Sequence, residues 1–257
     1  MIPIQILRVL STIRQYDVPA LLMGGQACVL YGAAEYSRDL DLAVLATSDA
    51  LPRLTAAMDA LRATVIAVPL FELQFLARGH AVHFSVPDGD AAATPGIPLR
   101  VDIMSRMRGV APFSELWERR TSITLPVDEG STEVTVEVMA LEDLVTAKKT
   151  QRDKDWPMLR RLVDASYDSA RDSEASPEQA MFWLTELRSS EFLREAISRF
   201  PLEVARSSRP AVVAALAGGD VGDALASEQS NEMAADRAYW EPLRRELESL
   251  RHAARRA

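Results

Sequence analysis

The chain has 257 residues, 48% of them hydrophobic and 26% charged, enough to bury a sizeable core as one large domain or two smaller ones. Its formal charge of -8 argues against a protein whose whole surface coats nucleic acid, while leaving room for a local basic groove. No apolar run approaches the roughly 18 residues of a membrane-spanning helix, the N-terminus lacks the basic region and cleavage site of a signal peptide, and a lone Cys28 allows neither an internal disulfide nor a cysteine-based zinc site; the expectation is a cytoplasmic protein without membrane contact.

Ile2, Ile6, Leu10 and Ile13 recur at helical spacing and predict a first amphipathic helix. "PALLMGG" reads as a short buried strand running into glycines, and "GQACVLYG" as a short helix that those glycines open. "SRDLDLAV" then reads as a strand, and "TSDALPRLTAAMDALRA" as a helix begun by a capping-type Ser48/Asp49 pair. "HAVHFSV" and "LRVDIMS" are predicted strands separated by the Pro/Gly/Asp-rich "PDGDAAATPGIP", and "TSITLPV" and "TEVTVEVMA" form a hairpin through "DEGS". From about Leu141 the periodicity is helical, with glycines 218 and 219 as punctuation and "AYWEPLRRELESLRHAARRA" as a closing helix too short for a coiled coil. The expected fold class is α+β: a mixed β-sheet with flanking helices over residues 1–140, then a helical domain over 141–257.

Alternation on a strand projects Asp39 and Asp41 together, while Leu40, Leu42 and Val44 point the other way into the core. Two carboxylates so close repel, and a divalent cation with a preference for oxygen ligands, magnesium above all, relieves that repulsion; a solvated strand face is the plainer alternative. Gly24-Gly25 lies ahead of the pair at a strand-to-helix turn, where backbone amides can approach a phosphate. Asp102, flanked by apolar Val101 and Ile103, is a third carboxylate on a strand. Of 29 basic residues only Lys148, Lys149 and Lys154 are lysines, all within seven positions, and a lysine is a compact point charge where arginine is a rigid fork.

"LMGGQACVLYGAAEYSRDLDLAV" resembles the signature of the nucleotidyltransferase superfamily with a DNA polymerase beta-like core: an apolar residue, Gly-Gly, a short helix, Asp-x-Asp on a strand and a later Asp. With "LEDLVTAKKTQRDKDWPMLRRL" it is similar to the AbiEii-like branch, which includes nucleotidyltransferase toxins of toxin-antitoxin systems. The resemblance covers roughly residues 20 to 165. It implies a nucleotidyltransferase-type sheet with the helical domain closing the nucleotide cleft, and an enzyme that moves an NMP from a magnesium-bound NTP (manganese being the substitute) to an acceptor hydroxyl with release of pyrophosphate. In that scheme Asp39, Asp41 and Asp102 hold the metal, and Asp102 also assists deprotonation of the acceptor. Gly24, Gly25, Ser37, Arg38 and Arg152 serve the nucleotide, and Lys148 or Lys149 holds the triphosphate. Adjacent helical residues point about 100° apart, so only one lysine faces the site, and Lys149 is preferred. The acceptor is either RNA, such as a tRNA 3' end, or a small hydroxylated molecule of the aminoglycoside type. A cognate antitoxin is an expected partner of the toxin branch, and a catalytically silent, antitoxin-like binding module is the reading from outside the enzymes.

His80 and His83, three apart on a strand, face opposite sides and suit structural roles better than a shared metal. Arg251, Arg255 and Arg256 are explained by the helix dipole at a C-terminus.

Overall fold

The computed structural model describes residues 3–34, 36–88, 97–126 and 133–256. In chain order the first half contains α1 (Ile4–Gln15), β1 (Ala20–Met23), α2 (Gly24–Leu30), β2 (Leu40–Val44), α3 (Ala50–Ala60), β3 (Thr64–Val65), α4 (Leu73–Arg78), β4 (Val82–Val86), β5 (Leu99–Met104), α5 (Phe113–Arg119), β6 (Thr121–Pro126) and β7 (Glu133–Val138). There follow α6 (Leu141–Ala147), α7 (Asp155–Ser169), α8 (Pro177–Glu186), α9 (Ser190–Arg199), α10 (Pro201–Val204), α11 (Pro210–Leu216) and α12 (Val221–Ala254). The fold is α+β, as the hydrophobic patterning predicts. Among the described residues no helix is long and apolar enough to cross a membrane.

The strands form one mixed sheet in the order β3-β4-β5-β2-β1-β7-β6. β2 pairs parallel with β5 and β1 pairs parallel with β7, while every other neighbour is antiparallel. β2 is central, and Leu40, Leu42, Ala43 and Val44 are all buried, so both of its faces are covered and Asp41 alone interrupts the apolar run. β6 and β7 are the expected hairpin, with Pro126 opposite Glu133; the turn between them and most of the "PDGDAAATPGIP" segment lie outside the described residues. Ile6 and Ile13 bury the inner face of α1 as expected, while Ile2 is outside the described residues. The cap of α3 is supplied by Thr47, whose Oγ1 accepts from the Ala50 amide at 3.2 Å, and Asp49 stands at the N-cap without a side-chain bond to the helix amides.

The closing helix differs most from expectation. It is not a short C-terminal piece but 34 residues long, begins at Val221 under an Asp220 cap and runs through Pro242. Tertiary bonds hold it where local propensity would break it. Buried Asp236 accepts from Arg108 Nε at 3.3 Å, from the Gln151 amide at 2.8 Å and from Trp240 Nε1 at 2.9 Å. Further along, Glu246 takes Arg78 at 2.6 Å and His80 at 3.0 Å. Helix α12 is thereby fastened to the sheet half at two points. Asp236→Ala strands a buried amide and an indole N–H and removes one partner of Arg108, so we expect a loss of about 3 kcal/mol in urea unfolding; a loss under about 0.5 kcal/mol would show that the clamp is dispensable.

Candidate active site

Strand register builds the site. Met23 of β1 lies opposite Asp41 of β2, Asp41 beside Asp102 of β5, and Asp102 opposite His83 of β4. Residues in register across a sheet share a face, so these four side chains form one row perpendicular to the strands. Directly after Met23, Gly24 has φ +66°, and a Cβ there would fall 1.8 Å from Asp41 Oδ2, so only glycine lets the Asp41 carboxylate occupy its place. The Gly25 amide lies 3.4 Å from the same oxygen, and a Cβ on Gly25 would lie 2.3 Å from Ser37 Oγ. The Gly25 amide, in the first turn of α2, is thus turned toward the chain's own Asp41.

Above the row is a cleft of about 330 Å³, lined by Gly24, Asp41, His83, Arg100 and Asp102 on the sheet side and by Arg108, Lys148, Lys149 and Arg152 opposite, with Asp236 and Trp240 of α12 closing it. Wider clefts lie among the helices, one of about 500 Å³ beside Arg188 and Arg209, but both of those guanidiniums are paired with Glu228.

The sequence-predicted residues divide. Asp41, Asp102, Gly24, Lys148, Lys149 and Arg152 come together around the cleft. Asp39 is exposed and lies just outside β2 rather than within it; with exposed Arg38 and with Ser37 it forms the lip ahead of the strand. Gln26 Nε2 fixes that lip by donating to the Ser37 carbonyl at 2.7 Å. Both lysines of the pair line the cleft, with different partners. Lys149 Nζ is committed to Glu186 at 2.6 Å, whereas buried Lys148, 3.6 Å from Asp155, is the lysine whose charge acts on Asp41. Asp155 also takes Thr150 Oγ1 at 2.6 Å and Arg152 Nε at 2.7 Å, fixing the loop that carries Lys148. Buried Cys28 is a core residue, its thiol pushed up to about 11 by burial.

The two central carboxylates are tuned in opposite directions. Burial, then the charge of Asp102, raises Asp41 above the usual carboxylate range, against the pull of Lys148 and the Gly25 amide. Burial alone would also raise Asp102, but the bonds from His83 Nδ1 and Arg100 Nε, each 2.8 Å to Oδ1, outweigh it and hold Asp102 below its ordinary value. Asp41 and Asp102 present hard carboxylate oxygens to the cleft. Among the described residues no group of three or more His, Cys, Asp or Glu side chains forms a ready cage for a metal.

His83 and Arg100 were not singled out as site residues by the sequence, although His83 alternates with buried Val82 and Phe84, and Arg100 is two residues from Asp102 on the same strand. His80 does diverge from His83 as expected, toward Glu246.

No protein-family model and no curated protein matches the chain. Among solved structures it is similar to JHP933 from Helicobacter pylori, at 15% identity and a TM-score of 0.41 over 96% of this chain and 95% of that one. A second structure, of an H. pylori protein provisionally named a nucleotidyltransferase, is similar at 14% identity and a TM-score of 0.41 over 93% and 94% of the two chains.

A raised folded-state pKa means that Asp41 destabilises the fold in full at pH above that value, and the penalty shrinks as pH falls below it and is gone below the unfolded-state pKa. The depressed Asp102 contributes stability above its unfolded-state pKa, lost as pH falls through the folded one. At neutral pH, Asp41→Asn is therefore expected to raise the melting temperature by a few °C and Asp102→Asn to lower it, with the gain of the first shrinking on acidification. Thermal denaturation at neutral and mildly acid pH checks both signs, and a lower melting temperature for Asp41→Asn contradicts the assignment of strain.

Proposed function

We propose that the protein is a magnesium-dependent nucleotidyltransferase that moves an NMP from an NTP to an acceptor hydroxyl and releases pyrophosphate. The observation that carries this reading is the register of Asp41 beside Asp102, behind the Gly24 turn and across the cleft from Lys148. In nucleotidyl transfer a bond forms between the acceptor oxygen and the α-phosphorus while the bond from that phosphorus to the β-phosphate bridging oxygen breaks. Asp102, held ionised, is the group we assign to receive the hydroxyl proton. Lys148, with Arg152, neutralises charge on the triphosphate, and Gly24 leaves the Asp41 carboxylate room beside it.

Magnesium fits this donor set: it is usually held by one or two carboxylates plus substrate phosphates and water, and Asp41 and Asp102 lie side by side on the cleft face. Asp41 and Asp102 would hold it, with Asp39 at the lip as a third oxygen donor and manganese as the substitute. When bound, such an ion stabilises charge building on the phosphates. The catalytic part is assigned to residues 1–140 and closure of the cleft to 141–257, on the strength of Asp236 and Trp240 lining it.

For the acceptor, the exposed guanidiniums of Arg152 and Arg160 on the α7 side favour an RNA end over a small hydroxylated molecule. The toxin-type branch and a cognate antitoxin rest on the resemblance of segment 141–162 alone. Incubation with each α-labelled NTP and magnesium, against total RNA and a panel of aminoglycosides, tests the reading. Asp41→Asn is expected to reduce label transfer by on the order of 10³-fold with the fold retained by circular dichroism, and Lys148→Ala to raise KM for the NTP about tenfold. Undiminished transfer by Asp41→Asn, or no transfer to any acceptor by the wild type, contradicts it.

A further inference from the structure

His83 is outside the residues assigned so far to metal or nucleotide, yet it lies at the end of the carboxylate row and lines the cleft. Its Nδ1 is 2.8 Å from Asp102 Oδ1 and 3.1 Å from Arg100 Nη2. One nitrogen cannot donate to the first and accept from the second. An Nδ1 lone pair facing an ionised carboxylate oxygen at that distance would be repelled, and the Arg100 guanidinium has its own bond to the same oxygen through Nε. The consistent assignment places the proton on Nδ1, with the Arg100 Nη2 contact a close approach rather than a bond. Two donors then converge on Oδ1, while Oδ2 takes no bond from the described residues.

We propose that His83 is a positioning residue: as the Nδ1–H tautomer it pins Asp102 by Oδ1, so that Oδ2 is the oxygen presented to the cleft and to the acceptor hydroxyl. The role rests on the nucleotidyl-transfer reading of Asp102. Without His83 the carboxylate keeps only the Arg100 bond, from a side chain 45% exposed, and is free to turn about its χ angles beside the repelling Asp41. Holding one oxygen fixes the other, as a donor behind a ligating or reacting group commonly does.

Two measurements decide it. The chain has three histidines, so imidazole nitrogen NMR across a pH series resolves each ring and reads the tautomer of its neutral form. His83, assigned by its absence in His83→Asn, is expected as Nδ1–H, and in Asp102→Ala as the commoner Nε2–H. An Nε2–H ring in the wild type overturns the proposal. In label transfer, His83→Phe is expected to lower kcat about 10- to 100-fold with KM for the NTP within about twofold. His83→Asn, whose amide nitrogen takes the place of Nδ1, should recover most of that loss. Failure of asparagine to rescue, or a phenylalanine effect carried by KM, overturns the positioning role. The tautomer is read with no substrate present, so its failure removes this inference alone, whereas absence of transfer by the wild type removes the nucleotidyl-transfer reading.

Discussion

Asp41 and Asp102 face one cleft because β2 and β5 run parallel in a register that sets them side by side. Two half-buried carboxylates at that spacing repel, and neighbouring groups determine how readily each of them ionises. His83 and Arg100 supply donors to Asp102, which stays ionised; Asp41, with one long amide contact and the opposing Lys148, is left raised. An apolar strand would have been more stable at this position. Leu40, Leu42, Ala43 and Val44 hold the backbone of β2 so firmly that the strain at Asp41 is tolerated rather than relieved by movement.

The opposite wall depends on two further buried carboxylates. Asp155 gathers Lys148, Thr150 and Arg152, and Asp236 gathers Arg108, the Gln151 amide and Trp240. Between them they fix both ends of the short segment 148–152, which carries the basic groups across from the sheet. Helix α12 is therefore more than a cover, because removing its Asp236 would loosen the loop that sets the position of Lys148.

The parts legible in the sequence were those governed by short-range chemistry. Alternating hydrophobicity located the strands, Gly24-Gly25 marked a turn that no larger residue could make, and the spacing of Asp39 and Asp41 marked the mouth of β2. Strand register was not legible, since Asp102 is about sixty residues beyond Asp41 and its partner His83 belongs to a third strand. His80 is the histidine that sequence spacing sets beside His83, while the partner of His83, Asp102, is across the sheet. The choice between Lys148 and Lys149 also turned on a distant residue, Glu186, which takes the second lysine. The closing helix expected from Ala238 onward begins at Val221 instead; the bonds from Asp236 to Arg108 and the Gln151 amide, and from Glu246 to Arg78 and His80, are tertiary and leave no local pattern.

If the repulsion between Asp41 and Asp102 is what a divalent cation relieves, nucleotide and cation must bind together. Isothermal titration of the wild-type protein with each NTP, in magnesium and again in excess EDTA, measures this directly. The account predicts binding with magnesium and at least about tenfold weaker binding without it. Equal affinity in EDTA, or no binding of any NTP in magnesium, would contradict it.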